Sequence, residues 1–182
     1  MSKAIGMVEY MSVPSGILAA DTLVKTAEVE VLQAQTVCPG KYIVLISGEL
    51  SAVKAAIEAS KVQCGAKLVD SFVLGNPHES IFPAIYGVTT VENPRALGIL
   101  ETFSAASIIV AADNAAKTAE VELIELRIAR GMSGKGYLLL TGEIAAVTAA
   151  IEKAKQAVGE NGAYLDSAVI PNPDKKLWKN IF

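Results

Sequence analysis

The amino-acid sequence predicts an α+β protein built from two tandem βαββαβ units, with the helices on one side of each sheet. Three observations support this prediction: the chain repeats itself after 92 to 96 residues, apolar residues recur at helical and strand-like spacings in both copies, and the helical segments are rich in alanine. A repeat of about 90 residues indicates a domain duplication, because the unit of a solenoid is much shorter. We therefore divide the 182 residues into a first domain at 1–90 and a second at 91–182.

The repeat extends along the whole chain. Its matching stretches are residues 3–9 with 95–101, 25–30 with 117–122, 47–53 with 141–147, and 70–71 with 166–167. The offset grows from 92 to 94 and then to 96 residues, so the second copy carries two short insertions. Between the copies, residues 87–94 contain Gly, Thr-Thr and Asn-Pro, which interrupt any periodicity and predict a linker.

The first copy opens with an apolar strand at residues 4–9, and Pro14 then favours the start of a helix. An apolar stripe at helical spacing marks this first helix in both copies. The stripe consists of Ile17, Ala20, Val24 and Ala27 in the first copy and of Ile109, Ala112, Ala116 and Ala119 in the second.

The remaining elements follow in the order strand, strand, helix, strand. Residues 29–36 and 41–47 are predicted to pair as strands around a Cys-Pro-Gly turn. Residues 49–64 form a second helix with Val53, Ala56 and Ile57 inward, and residues 68–74 form the closing strand.

The composition excludes several classes of protein. With 52% hydrophobic residues, 19% charged residues and a net charge of −3, the chain is too apolar for disorder and lacks the basic excess of a nucleic-acid binder. Its longest uncharged apolar stretch, residues 102–112, is short of the roughly 20 residues of a membrane span. The low charge indicates that other protein covers part of the surface.

Four motifs occur in the same order in both copies and together cover nearly the whole chain. They are A-x-G-x-[ILV]-E, A-D-x-x-x-K, [ST]-G-E-hydrophobic-x-A-V and D-S-x-V-[IL]-x-N-P. This ordered set resembles the bacterial microcompartment shell domain. The turn at residues 36–41, Thr-Val-Cys-Pro-Gly-Lys, is similar to that of tandem-domain shell proteins of the propanediol-utilisation T type.

The resemblance implies a structural shell protein of a microcompartment in a bacterial cytoplasm, not an enzyme. Single-domain members form flat hexamers, and a tandem chain reaches the same outline as a homotrimer, a pseudohexamer with threefold symmetry. The implied partners are further copies, other shell proteins and a redox enzyme inside the organelle, with neither nucleic acid nor membrane. The family's tile-edge lysine corresponds to Lys25 and Lys117.

The family's pore loop corresponds to residues 37–40 in the first copy and 131–135 in the second. The candidate pore residues are Val37, Cys38, Pro39, Gly40, Gly131, Met132, Ser133 and Gly134. On a threefold axis three Cys38 thiolates would meet and could ligate three corners of a [4Fe–4S] cluster. The resemblance therefore implies one cluster per trimer, ligated by Cys38 of three chains and serving electron transfer across the shell.

Two alternatives stay open at this stage. In the first, Cys38 is a small loop residue in a cluster-free tile whose pore passes metabolites, because unpaired cysteines commonly behave as small hydrophobes. In the second, the chain is a small-molecule-binding regulatory domain with a ferredoxin-like βαββαβ unit, unrelated to shells. His78 is the only histidine, so no histidine dyad exists within one chain. Glu9 and Glu101 occupy equivalent positions, which indicates a role in the fold or an interface.

Overall fold

The computed structural model describes residues 4–181. They form two four-stranded antiparallel sheets, and helices connect the strands along the chain. Among these residues the chain divides into two compact units. Unit 1 comprises residues 4–77, Ser104–Ser107 and Ile128–Lys135; unit 2 comprises His78–Phe103, Ile108–Arg127 and the residues from Gly136 onward. This division follows packing and differs from the division by sequence repeat at residue 90, which stays a prediction. No helix in the described range is long and apolar enough to cross a membrane.

The first copy folds in the predicted order. Its elements are β1 (Ala4–Tyr10), α1 (Val13–Thr26), β2 (Val29–Val37), β3 (Lys41–Gly48), α2 (Leu50–Cys64) and β4 (Leu68–Leu74). The sheet order is β2-β3-β1-β4, with the two middle strands each paired on both sides. Glu9 stands opposite Ile43 on β3 and Asp70 on β4.

The second copy repeats this arrangement and confirms the α+β class with two βαββαβ units. After α3 (Ile81–Tyr86) it contains β5 (Ala96–Thr102), α4 (Ala105–Thr118), β6 (Val121–Ile128), β7 (Gly136–Gly142), α5 (Ile144–Gly159), β8 (Tyr164–Ile170) and α6 (Lys175–Ile181). Its sheet order is β6-β7-β5-β8. The short helices α3 and α6 were not predicted, because six or seven residues give too few turns for a periodic pattern.

Glycine lets α2 lie directly on the first sheet and α5 directly on the second. A Cβ at Gly6 in β1 would stand 2.8 Å from Cγ1 of Val53 in α2. A Cβ at Gly98 in β5 would stand 2.9 Å from Cγ1 of Val147 in α5. The predicted inward residues of α2 are buried, which confirms that part of the pattern.

The apolar stripe predicted for α1 is not its inward face. The buried residues of α1 are Gly16, Ala19 and Leu23, whereas Ile17 and Val24 are 54% and 46% exposed. Gly16 lies nearest the sheet because a Cβ there would be only 2.4 Å from Cβ of Tyr42. Helical spacing identified the larger side chains, which form a second stripe beside the buried one.

Candidate functional site

Cys38 lies in the tight turn that joins β2 to β3. The strands end at Val37 and resume at Lys41, and the Gly40 N–H donates to the Val37 carbonyl at 2.9 Å. Gly40 has φ +105°, a conformation that side chains rarely allow, so the turn requires glycine there. The Cys38 thiol is free and half-buried. The turn thus presents one thiol at the end of a hairpin.

The second predicted pore loop lies beside this turn within unit 1. The Cys38 N–H donates to the Ala129 carbonyl at 3.1 Å. Gly134, with φ +89°, has no room for a side chain, because a Cβ there would be 3.0 Å from the Cys38 carbonyl oxygen. Within the loop, the Lys135 N–H donates to the Met132 carbonyl at 3.0 Å. The structure therefore brings together the two loops that the sequence predicted separately.

Lys41 joins the Cys38 turn to the second loop. Its Nζ donates to the Gly134 carbonyl at 3.0 Å and forms an ion pair with Oε1 of Glu9. The Lys41 side chain is only 12% exposed, and it fills the space that Gly134 leaves open. The positive charge three residues after Cys38 is therefore neutralised within unit 1.

Glu9 is fully buried and accepts hydrogen bonds on both carboxylate oxygens. Besides Lys41 on Oε1, its Oε2 accepts the N–H groups of Ala105 at 2.8 Å and Ala106 at 3.3 Å. These are first-turn amides of α4, which have no partner within the helix. Burial raises the pKa of the Glu9 carboxyl, although Lys41 and the two amides act to lower it. Glu9 therefore caps a helix.

Asp70 on β4 holds the same segment from the neighbouring strand. Its Oδ1 accepts the Ser71 N–H at 2.7 Å, and its Oδ2 accepts the hydroxyl groups of Ser104 and Ser107. Together Glu9 and Asp70 form the acidic pair of unit 1, which receives residues 104–107. No local pattern in the sequence predicts this contact; its only signal is that both acids recur in the second copy.

The predicted tile-edge lysines lie in the last turns of α1 and α4. Lys25 pairs with Asp21 at 2.7 Å and Lys117 pairs with Asp113 at 2.6 Å, each four residues earlier on its helix. Asp113 also accepts the His78 N–H at 2.7 Å. Both lysines keep exposed side chains, and their contact with neighbouring tiles stays a prediction.

One chain offers a single accessible thiol for metal binding. Cys64 is buried in the apolar core of unit 1. Across residues 4–181, no group of three His, Cys, Asp or Glu side chains is arranged to hold a metal ion. A cluster at Cys38 therefore requires thiols from other copies of the chain.

The duplicated sheet-and-helix units match a known domain family. The chain belongs to the BMC domain family, whose pattern matches residues 4–77 and 96–173. Two matches in tandem make it a tandem-domain member.

Two relatives match over the full length. The chain is 39% identical over 181 residues to the bacterial microcompartment shell protein PduT of Citrobacter freundii, covering 100% of this chain and 98% of the relative. A crystal structure of a microcompartment protein from Desulfitobacterium hafniense DCB is 44% identical, with a TM-score of 0.86 over 98% of this chain and 99% of the other.

A third similarity concerns the fold alone. The fused permuted hexameric shell protein of the RMM microcompartment shares 24% identity and a TM-score of 0.69, covering 87% of this chain and 82% of the other. Taken together, the matches identify a structural shell protein of a bacterial microcompartment, of the PduT type, and not an enzyme. The alternative of a regulatory domain outside shells is left without support.

Proposed function

We propose that this chain is a homotrimeric shell tile in which three Cys38 thiolates ligate one [4Fe–4S] cluster for electron transfer across the shell. The observation that carries the proposal is the Cys38 turn, which holds a half-buried free thiol at the end of a hairpin. The tile would join other shell proteins, with a redox enzyme inside the organelle as electron donor or acceptor.

The chemistry of the donor set fits such a cluster. Thiolate sulfur is the usual protein ligand of iron–sulfur clusters, and three thiolates leave one iron for another ligand. A Cβ at Gly40 would meet nothing within 4 Å, so the surface next to Cys38 is open on that side. The cluster, when bound, would supply one-electron transfer at the pore.

The residues around Cys38 position its thiol. The hydrogen bond from the Cys38 N–H to the Ala129 carbonyl anchors the turn to the second loop. Lys41, the first residue of β3 after the turn, donates to the Gly134 carbonyl of the same loop. Because Glu9 neutralises Lys41, the turn carries no unpaired buried charge beside the thiol. These contacts support a turn of fixed shape, which a shared ligand on a symmetry axis requires.

Iron and sulfide quantification on anaerobically purified protein, with electron paramagnetic resonance after reduction, tests the cluster. We expect one cluster for every three chains, lost in Cys38→Ser and kept in the matched control Cys64→Ser, whose thiol is buried. Iron-free anaerobic protein, or an unchanged spectrum in Cys38→Ser, contradicts the cluster. In that case a trimer without iron supports the cluster-free tile with a metabolite pore, whereas a monomer at high concentration contradicts both.

A further inference from the structure

The acidic pair of unit 1 has a counterpart in unit 2. Glu101 and Asp166 are the repeat equivalents of Glu9 and Asp70, at offsets of 92 and 96 residues. The segment that Glu9 and Asp70 receive, residues 104–107, has its own equivalent in residues 12–15 at the start of α1. We call Glu101 and Asp166 the acidic pair of unit 2.

The two aspartates share their local geometry but differ in what they hold. The Asp166 Oδ1 accepts the Ser167 N–H at 2.8 Å, just as Asp70 accepts the Ser71 N–H at 2.7 Å. Whereas Oδ2 of Asp70 accepts two serine hydroxyls, Oδ2 of Asp166 accepts no hydrogen bond from residues 4–181. Asp166 is thus exposed in the orientation that binds serine in unit 1.

The sheet surface around the acids shows the same difference. On the Glu9 face of unit 1, every large apolar side chain of the two central strands is buried. These side chains are Ile5, Met7, Ile43 and Leu45. In unit 2 Leu97, the equivalent of Ile5, is buried, but Ile99, Tyr137 and Leu139 are partly exposed, as is Glu101 itself. This face of unit 2 is therefore open in a single chain where its equivalent in unit 1 is covered.

The start of α1 and its apolar stripe are open as well. Ser104 uses its hydroxyl to cap the Ser107 N–H, but Ser12 caps no amide of α1 and bonds only to the Ser15 hydroxyl at 3.0 Å. Ile17 and Val24 are about half exposed, although their equivalents Ile109 and Ala116 in α4 are buried.

We propose that the acidic pair of unit 2 receives the start of α1, residues 12–15, from a second copy of this chain, and that this contact covers the exposed stripe of α1. One chain already makes this contact once within itself: in unit 1, Glu9 and Asp70 bind residues 104–107. The other two halves are the acidic pair of unit 2 and the start of α1. Because they belong to different units, two copies pair head to tail, and three such contacts close a ring. This inference rests on the proposed trimer and names the residues that hold it together.

The chemistry of both halves is complementary. Glu9 binds Lys41 with one carboxylate oxygen and the Ala105 N–H with the other. Glu101 would bind the start of α1 in the same way, with one oxygen, whatever partner its other oxygen has. The Val13 N–H is the equivalent of the Ala105 N–H. Pro14 replaces Ala106 and has no N–H, so only the shorter of the two amide bonds is reproduced. Ser12 and Ser15 supply the hydroxyls for Oδ2 of Asp166.

Sedimentation equilibrium of the full chain with Ser15→Asp or Asp166→Lys tests the contact. Ser15→Asp places two carboxylates together at the interface, yet an acid in the first turn of a helix favours the folded chain. Asp166→Lys removes the acceptor of both hydroxyls. Since a hydrogen bond to a charged group is worth a factor of about ten or more, we expect each variant to raise the dissociation constant at least about tenfold. The combination Ser15→Asp/Asp166→Lys forms a new ion pair and should restore association.

Glu160→Lys is the matched control, because it reverses one exposed acidic charge of unit 2 at the end of α5. It should leave the dissociation constant unchanged. A monomeric wild type contradicts the proposed trimer itself. A trimeric wild type whose association is the same in all four variants contradicts only the contact proposed here, as does a double variant no tighter than the single ones.

Discussion

Helices α1 and α4 have the same length of 14 residues and equivalent sequences, but α4 buries two apolar stripes where α1 buries one. Equivalent residues have different neighbours: Ile109 is buried and Ile17 is half exposed. Under the contact proposed above, a second copy of the chain covers the second stripe of α1. Equivalent sequences therefore do not fix which residues are buried, because burial depends on what each helix contacts.

The two units also solve one packing problem in opposite ways. Gly16 of α1 faces Tyr42 of β3, and a Cβ on the glycine would be 2.4 Å from Cβ of the tyrosine. At the equivalent crossing in unit 2, Ile108 of α4 faces Gly136 of β7, where an added Cβ would be 2.6 Å from Cγ2 of the isoleucine. Each crossing holds one large side chain and one glycine, with the helix and the strand exchanging roles.

Breaking this exchange should have the largest effect on stability. Gly16→Ile gives α1 the isoleucine that α4 has at the equivalent position, Ile108, while Tyr42 remains on β3. The Cβ of the new side chain then collides with the Cβ of Tyr42. We expect a loss of about 3 kcal/mol in the free energy of unfolding, measured by urea denaturation, since such overpacking forces the backbone to move.

The double variant Gly16→Ile/Tyr42→Gly copies the crossing of unit 2 and should recover most of that loss. Tyr42→Gly alone is the control for the cavity and for the added flexibility of glycine in a strand. Additive effects of the two substitutions would contradict the exchange, because a shared crossing requires that they be strongly coupled.

Lys41 provides the next test, because it stabilises a buried charge that unit 1 has enclosed. Lys41→Met leaves the Glu9 carboxylate buried without its ammonium partner, which should cost about 3 kcal/mol at neutral pH. The pKa of Glu9 already lies above 4.5 through burial, and it should rise further because Lys41 lowers it. With a raised pKa, the carboxyl stays protonated to a higher pH in the folded state than in the unfolded state. The free energy of unfolding of the variant therefore falls as pH rises through that pKa.

Unfolding measured from pH 4 to pH 8 should therefore show Lys41→Met closest to the wild type at the acidic end. The matched variant Lys41→Met/Glu9→Gln has no buried charge, so its loss should be smaller and its dependence on pH weaker. An equal loss at all pH values would show that Lys41 stabilises through its contact with Gly134 and not through its charge.

Local patterns explain which parts of this structure the sequence predicts. The strands, α2 and the Cys38 turn follow from periodicity and from Pro and Gly signals within a few residues, whereas the second loop was implied by the family resemblance. The contact of Glu9 with Ala105 joins residues 96 positions apart, and no local pattern encodes it. Helical spacing likewise identifies an apolar stripe on α1 but cannot tell which of two stripes faces the sheet, since Gly16 contributes no hydrophobic signal.

The smallest effect concerns a position where unit 2 is polar and unit 1 is not. Tyr137 stands where unit 1 has Ile43, and its hydroxyl donates to Oε2 of Glu125 at 2.5 Å. Arg127 pairs with Glu125 at 2.6 Å and lies 5.5 Å from the centre of the Tyr137 ring. Burial, the bond to the Glu125 carboxylate and the charge of that carboxylate raise the pKa of Tyr137 to about 12.

An absorbance titration of tyrosinate should show this group ionising about two pH units later than an ordinary tyrosine. The folded chain keeps the proton that the unfolded chain loses near pH 10, so stability declines as pH rises from 10 towards 12. Glu125→Gln should lower the pKa of Tyr137, because it removes the negative charge beside the phenol. Tyr137→Ile, which restores the residue of unit 1, should remove the late ionisation and change stability at neutral pH by less than about 1 kcal/mol. A late ionisation that survives in Tyr137→Ile belongs to Tyr10, whose pKa burial also raises.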